Sequence, residues 1–223
     1  MLWLLPLLAF FLGSIPFGLV AGRLKGIDIR QHGSGNIGAT NVFRVLGKGP
    51  GTVCLILDFL KGLLPVLLAR HLTGDHLADD RTAMQTIVVL SALGAILGHN
   101  FSPWLGFKGG KGIATTGGAL TAIMPGAVLI LILIWTVVTK ITKYVSVGSI
   151  AAAIALPITT ILGSAYHGKL ADGTWNKPLF VFSLVAGILA IWRHRANISR
   201  LRQGTEPKVG QKKREAATAS ASA

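Results

Sequence analysis

Apolar residues run along this chain in long blocks separated by short polar stretches. Five blocks, Leu2 to Val20, Thr52 to Ala69, Ala83 to Gly98, Val145 to Ala165 and Leu179 to Trp192, approach the length a helix needs to cross a bilayer, the shorter ones with flanking residues added. In lipid every backbone polar group must be satisfied within the segment, so these blocks predict helices. A sixth block, Ile113 to Val138, carries Pro125 and Gly126 in its middle. It predicts one long helix or two short ones turning at Met124 to Gly126. The first block has no basic residue ahead of it and more spans after it, so it reads as a retained helix rather than a cleaved signal.

Composition narrows the class. Hydrophobic residues make up 51% and charged residues only 13%, about half the charged share of a soluble domain, which excludes a disordered or ordinary cytosolic protein. The net charge of +14 invites a nucleic-acid reading, but the bases lie between apolar blocks, and no nucleic acid is expected as a partner. The single cysteine, Cys54, excludes an internal disulfide and reads as packing.

The bases also decide the sixth block, because loops on the cytoplasmic side carry the excess of Lys and Arg. If the block forms two helices, Arg23, Lys25, Arg30, Arg44, Lys48, Lys108, Lys111, Lys140, Lys143 and the eight bases after Trp192 fall on one side, seventeen in all. The other side then holds four: Arg70, Arg81, Lys169 and Lys177. One long helix would split them nine against twelve. The expected fold is therefore an all-α integral membrane protein of seven transmembrane helices, its N-terminus outside and its C-terminus cytoplasmic. Residues 1–202 form a single domain, and residues 203–223, polar and Ala/Ser-rich, read as a disordered basic tail with Lys212, Lys213 and Arg214 near anionic lipid.

This topology gathers the polar glycine-rich loops on the cytoplasmic face. The first holds Ser34-Gly35-Asn36-Ile37-Gly38-Ala39-Thr40-Asn41, followed by Arg44; the second holds Phe107-Lys108-Gly109-Gly110-Lys111-Gly112. Glycines let backbone N–H groups approach an anion, and a helix start adds partial positive charge. Arg44 offers a planar fork and Lys111 a mobile point charge, enough for two phosphate-like groups. The letters Gly33-x-Gly35-x-x-Gly38 match a dinucleotide fingerprint, but no βαβ unit is available, and Leu105 and Gly112 break the P-loop spacing around Gly106. Most other glycines, such as Gly94 and Gly98, read as helix packing.

Asp58 and Lys61 lie three apart on one face of the second span, either as a functional group or as a structural ion pair. His194 and Asn197 share a face after the last span, and Ser146 places a hydroxyl at the start of span six. The acids near the loops are scattered, so no metal and no cofactor is expected.

These residues resemble the bacterial acyl-phosphate:glycerol-3-phosphate acyltransferases. The resemblance rests on Ser34 to Asn41 with Arg44, on Asp58-Phe59-Leu60-Lys61-Gly62, on Gly98-His99 with Phe107 to Gly112, and on Arg193-His194 through Asn197 to Leu201, and it reaches to about Arg202. It implies an enzyme of the bacterial inner membrane with its active site on the cytoplasmic side, a glycerol-3-phosphate acceptor, a membrane-embedded acyl phosphate donor and, as functional partner, an enzyme that makes acyl phosphate. Ser34, Gly35, Asn36, Gly38, Ala39, Thr40 and Asn41 carry over as the acyl-phosphate pocket, Gly109, Gly110 and Gly112 as the glycine loop, and Arg44, Lys111, His194 and Asn197 as phosphate or glycerol contacts supported by Ser146. Val145 stands where the family carries a serine. Acyl phosphate is a reactive mixed anhydride, so alignment and charge stabilisation suffice without an enzyme nucleophile. The hydroxyl proton goes to a substrate phosphate or to His194, with the resemblance favouring the substrate. The competing readings are a transporter of a phosphorylated metabolite and an acyltransferase with a thioester donor.

Overall fold

The computed structural model describes residues 1–210, which form helices and connecting turns with no strand among the described residues. The first apolar block is not one helix. It breaks at Ser14-Ile15-Pro16 into α1 (Leu5–Gly13) and α2 (Phe17–Arg23), because proline has no N–H to continue the ladder. The carbonyls freed there find new donors: Ser102 Oγ gives a hydrogen bond to Ser14 O at 2.7 Å, and Lys61 Nζ gives one to Ile15 O at 2.7 Å.

Short α3 (Ala39–Leu46) leads into α4 (Lys48–His76), whose 29 residues would extend about 43 Å at 1.5 Å per residue. Lys61 on α4 also lies 2.8 Å from Asp58, and both are buried. The sequence left that pair open between two roles; in the fold it joins α4 to the break in the first span.

Close approaches set the packing. On α5 (Arg81–Asn100), Gly94 lies against the Pro6 carbonyl and Gly98 against the Phe10 carbonyl, so a Cβ at either position would strike the α1 backbone. The sixth block divides at Met124 into α6 (Ile113–Ile123) and α7 (Pro125–Thr142), with Pro125 in the first turn of α7, where its missing N–H is no loss. Gly62 on α4 meets the Thr115 carbonyl and Gly118 on α6 meets the Phe59 carbonyl, which locks α6 onto α4 from both sides. The bundle closes with α8 (Val145–Tyr166), α9 (Lys177–Arg193) and α10 (Arg195–Arg202), the last bent by 50° from α9.

Among the described residues, five segments are long and apolar enough to cross a membrane, or six if α9 and α10 count as one bent span. The eleven residues of α6 reach about 16 Å, against a hydrocarbon core of about 30 Å. Leu64, Ile130, Leu133, Ile158 and Ile188 are exposed on the outer faces. Inside, Val66, Ala92, Ile96, Leu120, Val128, Leu156 and Phe182 form the main core, and Ile29, Ile37, Val42 and Cys54 form a second one under the first loop.

The chain does not leave the fold at residue 203 as the sequence suggested. Thr205 N–H donates to Arg200 O and Val209 N–H to Lys143 O, each at 2.8 Å, and between them Glu206 is buried. The reason is polar rather than hydrophobic, since three donors converge on that carboxylate. Lys212, Lys213 and Arg214 lie outside the described residues.

Candidate active site

The first glycine-rich loop is shaped by two asparagines. Buried Asn41 accepts the Ser34 N–H at 2.8 Å through Oδ1 and donates through Nδ2 to His32 O at 3.0 Å and Asn36 O at 2.9 Å. Asn36 Oδ1 in turn accepts the Gly38 N–H at 2.9 Å. Of the residues expected in a phosphate pocket, these two therefore hold the loop together. What the loop presents is the start of α3: Gly38 is its N-cap and no side chain caps it, so its first N–H groups keep their donor capacity. Arg44 lies one turn beyond Thr40 on the same helix.

The second loop delivers another uncapped helix start. Gly112 precedes α6 at φ +79°, a left-handed conformation suited to glycine, and again no side chain caps the helix. Upstream, Gly109 N–H and Gly110 N–H donate to Asn100 O and His99 O, both at 3.1 Å. A Cβ on Gly110 would collide with the His99 ring. Burial pushes the Lys111 ammonium down to about 8; Glu206 opposes this, while Arg200, Arg44 and Arg193 add to it.

The third contribution comes from α8, the α9–α10 bend and the returning chain. Glu206 Oε1 accepts from Ser146 Oγ at 2.7 Å and from Asn197 Nδ2 at 2.6 Å, and its Oε2 accepts from Arg200 Nε at 2.8 Å. Burial opposes its charge, but the bonds from Asn197, Ser146 and Arg200 outweigh that and hold it below the usual carboxylate range. Ser146 and the Asn197 amide, expected to touch substrate, thus have a protein carboxylate as partner; Asn197 Oδ1 is buried without one. His194 Nδ1 lies 2.7 Å from Ala190 O, which requires the proton on Nδ1 and makes Nε2 the ring's acceptor when the imidazole is neutral.

These segments meet around a cavity of about 600 Å³. Ser34, Asn36, Gly38, Ala39, Thr40, Asn41, Arg44, Lys111, Gly112, Ser146, His194 and Asn197 all line it, together with Asp58. Gly35, Gly109, Gly110 and Lys61 stand behind the wall. Away from the charges the lining is apolar, with Leu55 and Phe59 of α4, Leu120 of α6, Leu131 and Trp135 of α7, Leu156 of α8 and Ala186 of α9. Val145 adds to that wall. A second, smaller cavity of about 210 Å³ adjoins it through Ser34, Asn36, Lys111, Asn197 and Arg200, and adds Arg193 and Arg195.

Sequence reasoning missed Glu206, Arg193 and Arg200 as parts of the site. Two helix starts, flanking cations and an apolar slot in one cavity suit a molecule with an anionic head and a long hydrocarbon chain, beside a second small anion.

Comparison with known proteins agrees in scale. The glycerol-3-phosphate acyltransferase family model matches residues 3–204. A protein of Desulforamulus reducens named glycerol-3-phosphate acyltransferase is 46% identical over 92% of this chain and 94% of its own. One of Moorella thermoacetica, named glycerol-3-phosphate acyltransferase 2, is also 46% identical, over 95% of this chain and all of its own. The crystal structure of PlsY, an integral membrane glycerol 3-phosphate acyltransferase, in its glycerol 3-phosphate form superimposes with a TM-score of 0.78 at 38% identity, covering 95% of this chain and 97% of that one. The chain is a multi-pass membrane protein and belongs to the glycerol-3-phosphate acyltransferase family.

Proposed function

We propose that this protein transfers a long-chain acyl group from acyl phosphate to the 1-hydroxyl of glycerol-3-phosphate, giving lysophosphatidic acid and inorganic phosphate. The observation that carries the reading is the cavity itself: one apolar slot whose polar end is made by the starts of α3 and α6 with Arg44 and Lys111. The acyl chain takes the slot, its phosphate takes the α3 start and Arg44, and the acceptor phosphate takes Lys111 and the α6 start. The protein sits in the bacterial inner membrane with this end cytoplasmic, its N-terminus outside, α6 as a short seventh crossing, and an acyl phosphate-producing enzyme upstream.

In the reaction the acceptor hydroxyl oxygen bonds to the acyl carbon, the anhydride C–O bond to phosphate breaks, and the hydroxyl proton leaves with the phosphate. His194 Nε2 and Asn197 Oδ1 orient the glycerol hydroxyls. The protein's share is alignment and stabilisation of developing charge.

Detergent-purified protein given labelled glycerol-3-phosphate is expected to form lysophosphatidic acid with acyl phosphate, and none with acyl-CoA or acyl carrier protein thioester. Uptake of glycerol-3-phosphate into proteoliposomes without acylation would overturn the reading in favour of a transporter. His194→Gln should raise the KM for glycerol-3-phosphate and keep kcat within about tenfold; a loss of kcat of about 10²–10⁴, the range that a general base contributes, would assign the proton to His194.

The Lys111 ammonium, titrating at about 8, gives a pH signature. It is charged below that pH and neutral above it, so kcat/KM for glycerol-3-phosphate should fall on the alkaline side by about tenfold per unit as the charge is lost. Lys111→Arg, which stays charged, should remove that limb from the profile. An unchanged alkaline limb in the variant would place the titrating group elsewhere.

A further inference from the structure

Arg193 has no role in the chemistry above, yet it is held more firmly than a base at the end of a span requires. Its Nη2 donates to Gly109 O at 2.6 Å and its Nε to Gly110 O at 2.9 Å, across more than eighty residues of sequence. The guanidinium also faces the rings of Phe101 and Trp192, at 5.4 and 5.7 Å from their centroids, and those rings lie 6.1 Å apart. Charge, fork and aromatic contacts together fix its orientation.

The two carbonyls belong to the most flippable peptides of the second loop, since neither glycine has a Cβ to restrict rotation. The Gly109–Gly110 peptide is gripped at both ends: its oxygen by Arg193 and its N–H by His99 O. The next peptide joins Gly110 to Lys111. In a trans peptide the C=O and N–H point in opposite directions, so holding the Gly110 oxygen on Arg193 turns the Lys111 N–H away from Arg193. If the Gly110–Lys111 peptide flipped, its carbonyl oxygen would take the place of the Lys111 N–H on the side away from Arg193; if the Gly109–Gly110 peptide flipped, its N–H would lose His99 O, and either change would shift the α6 start and Lys111.

We propose that Arg193 is a positioning residue: it locks the Gly109-Gly110-Lys111 peptides in the orientation that binds the acceptor phosphate, rather than binding that phosphate itself. This rests on the acyltransferase reading above and adds which residue sets the shape of its acceptor site.

The test compares Arg193→Gln and Arg193→Lys with the unaltered protein, using glycerol-3-phosphate and acyl phosphate in steady state and hydrogen exchange of residues 107–112. Arg193→Gln should raise the KM for glycerol-3-phosphate at least tenfold, leave kcat within threefold and the KM for acyl phosphate within twofold, and speed amide exchange in that segment alone. Arg193→Lys should recover little, because an ammonium lacks the fork that reaches both carbonyls. Full rescue by lysine with unchanged exchange would overturn the proposal, since charge on the substrate would then be the role. Exchange accelerated throughout the protein, with both KM values raised, would also overturn it by making Arg193 a general stabiliser. An unaltered protein that forms no lysophosphatidic acid defeats the functional reading instead, whereas an active protein with normal Arg193 variants defeats only this proposal.

Discussion

Arg44→Ala is expected to lower kcat/KM by about a thousandfold and to leave the melting temperature in detergent within a few degrees of the unaltered protein. Both halves follow from how the first loop is built. The loop's shape comes from Asn41 and Asn36, whose side-chain bonds run to backbone groups of residues 29 to 38 and do not involve Arg44. Losing the guanidinium therefore removes charge from the cavity without untying the loop. Deleting one group aimed at developing charge in a water-poor site lowers turnover by about 10²–10³, and an ionised donor on a phosphate stands at the upper end of that range. Arg44→Lys should regain only part of the loss, because a point charge replaces a bidentate fork. The check is lysophosphatidic acid formation from acyl phosphate alongside a thermal melt. A rate within fivefold of normal would remove Arg44 from the phosphate site.

Much of this architecture was legible in the chain because a membrane leaves few reasons for polar residues between apolar blocks. Arg44, Lys111, Ser146, His194 and Asn197 come from four separate segments, and all five line one cavity. The division at Met124 could be read from Pro125 together with the placement of bases. What escaped was long-range pairing. The first block was read as one helix despite Pro16, and nothing local revealed that Lys61, 46 residues away, would satisfy the Ile15 carbonyl exposed by the break. Arg193 looked like one more base at the end of a span, since its partners are backbone oxygens that carry no side-chain signal. The short α6 was legible, since the sixth block begins at Ile113 and divides at Met124 as α6 does; what hydropathy does not report is the positive φ of Gly112 that precedes it.

Glu206 is the instructive omission, and its removal should have the second large effect. It lies two residues after Gly204 in a polar stretch that composition reads as tail, so only its three donors reveal it. Glu206→Ala strips the acceptor from Ser146, Asn197 and Arg200 at once. Breaking a buried charge pair by removing one partner destabilises by about 3–5 kcal/mol; Arg200 is partly exposed here, so the lower end applies. The loss extends to function, because Arg200 and Lys111 share the cavity and lose a carboxylate that offsets their charges. Glu206→Gln is no mild substitute, since its amide NH₂ would have to face either the Arg200 guanidinium or the Ser146 and Asn197 donors. Both variants should melt well below the unaltered protein in detergent and show little acylation at any substrate concentration. Glu206→Asp, which keeps the charge on a shorter stem, should fall between. If Glu206→Ala melts normally and turns over at the usual rate, the returning chain has no part in holding Ser146 and Asn197, and the site is built by α8 and α10 alone.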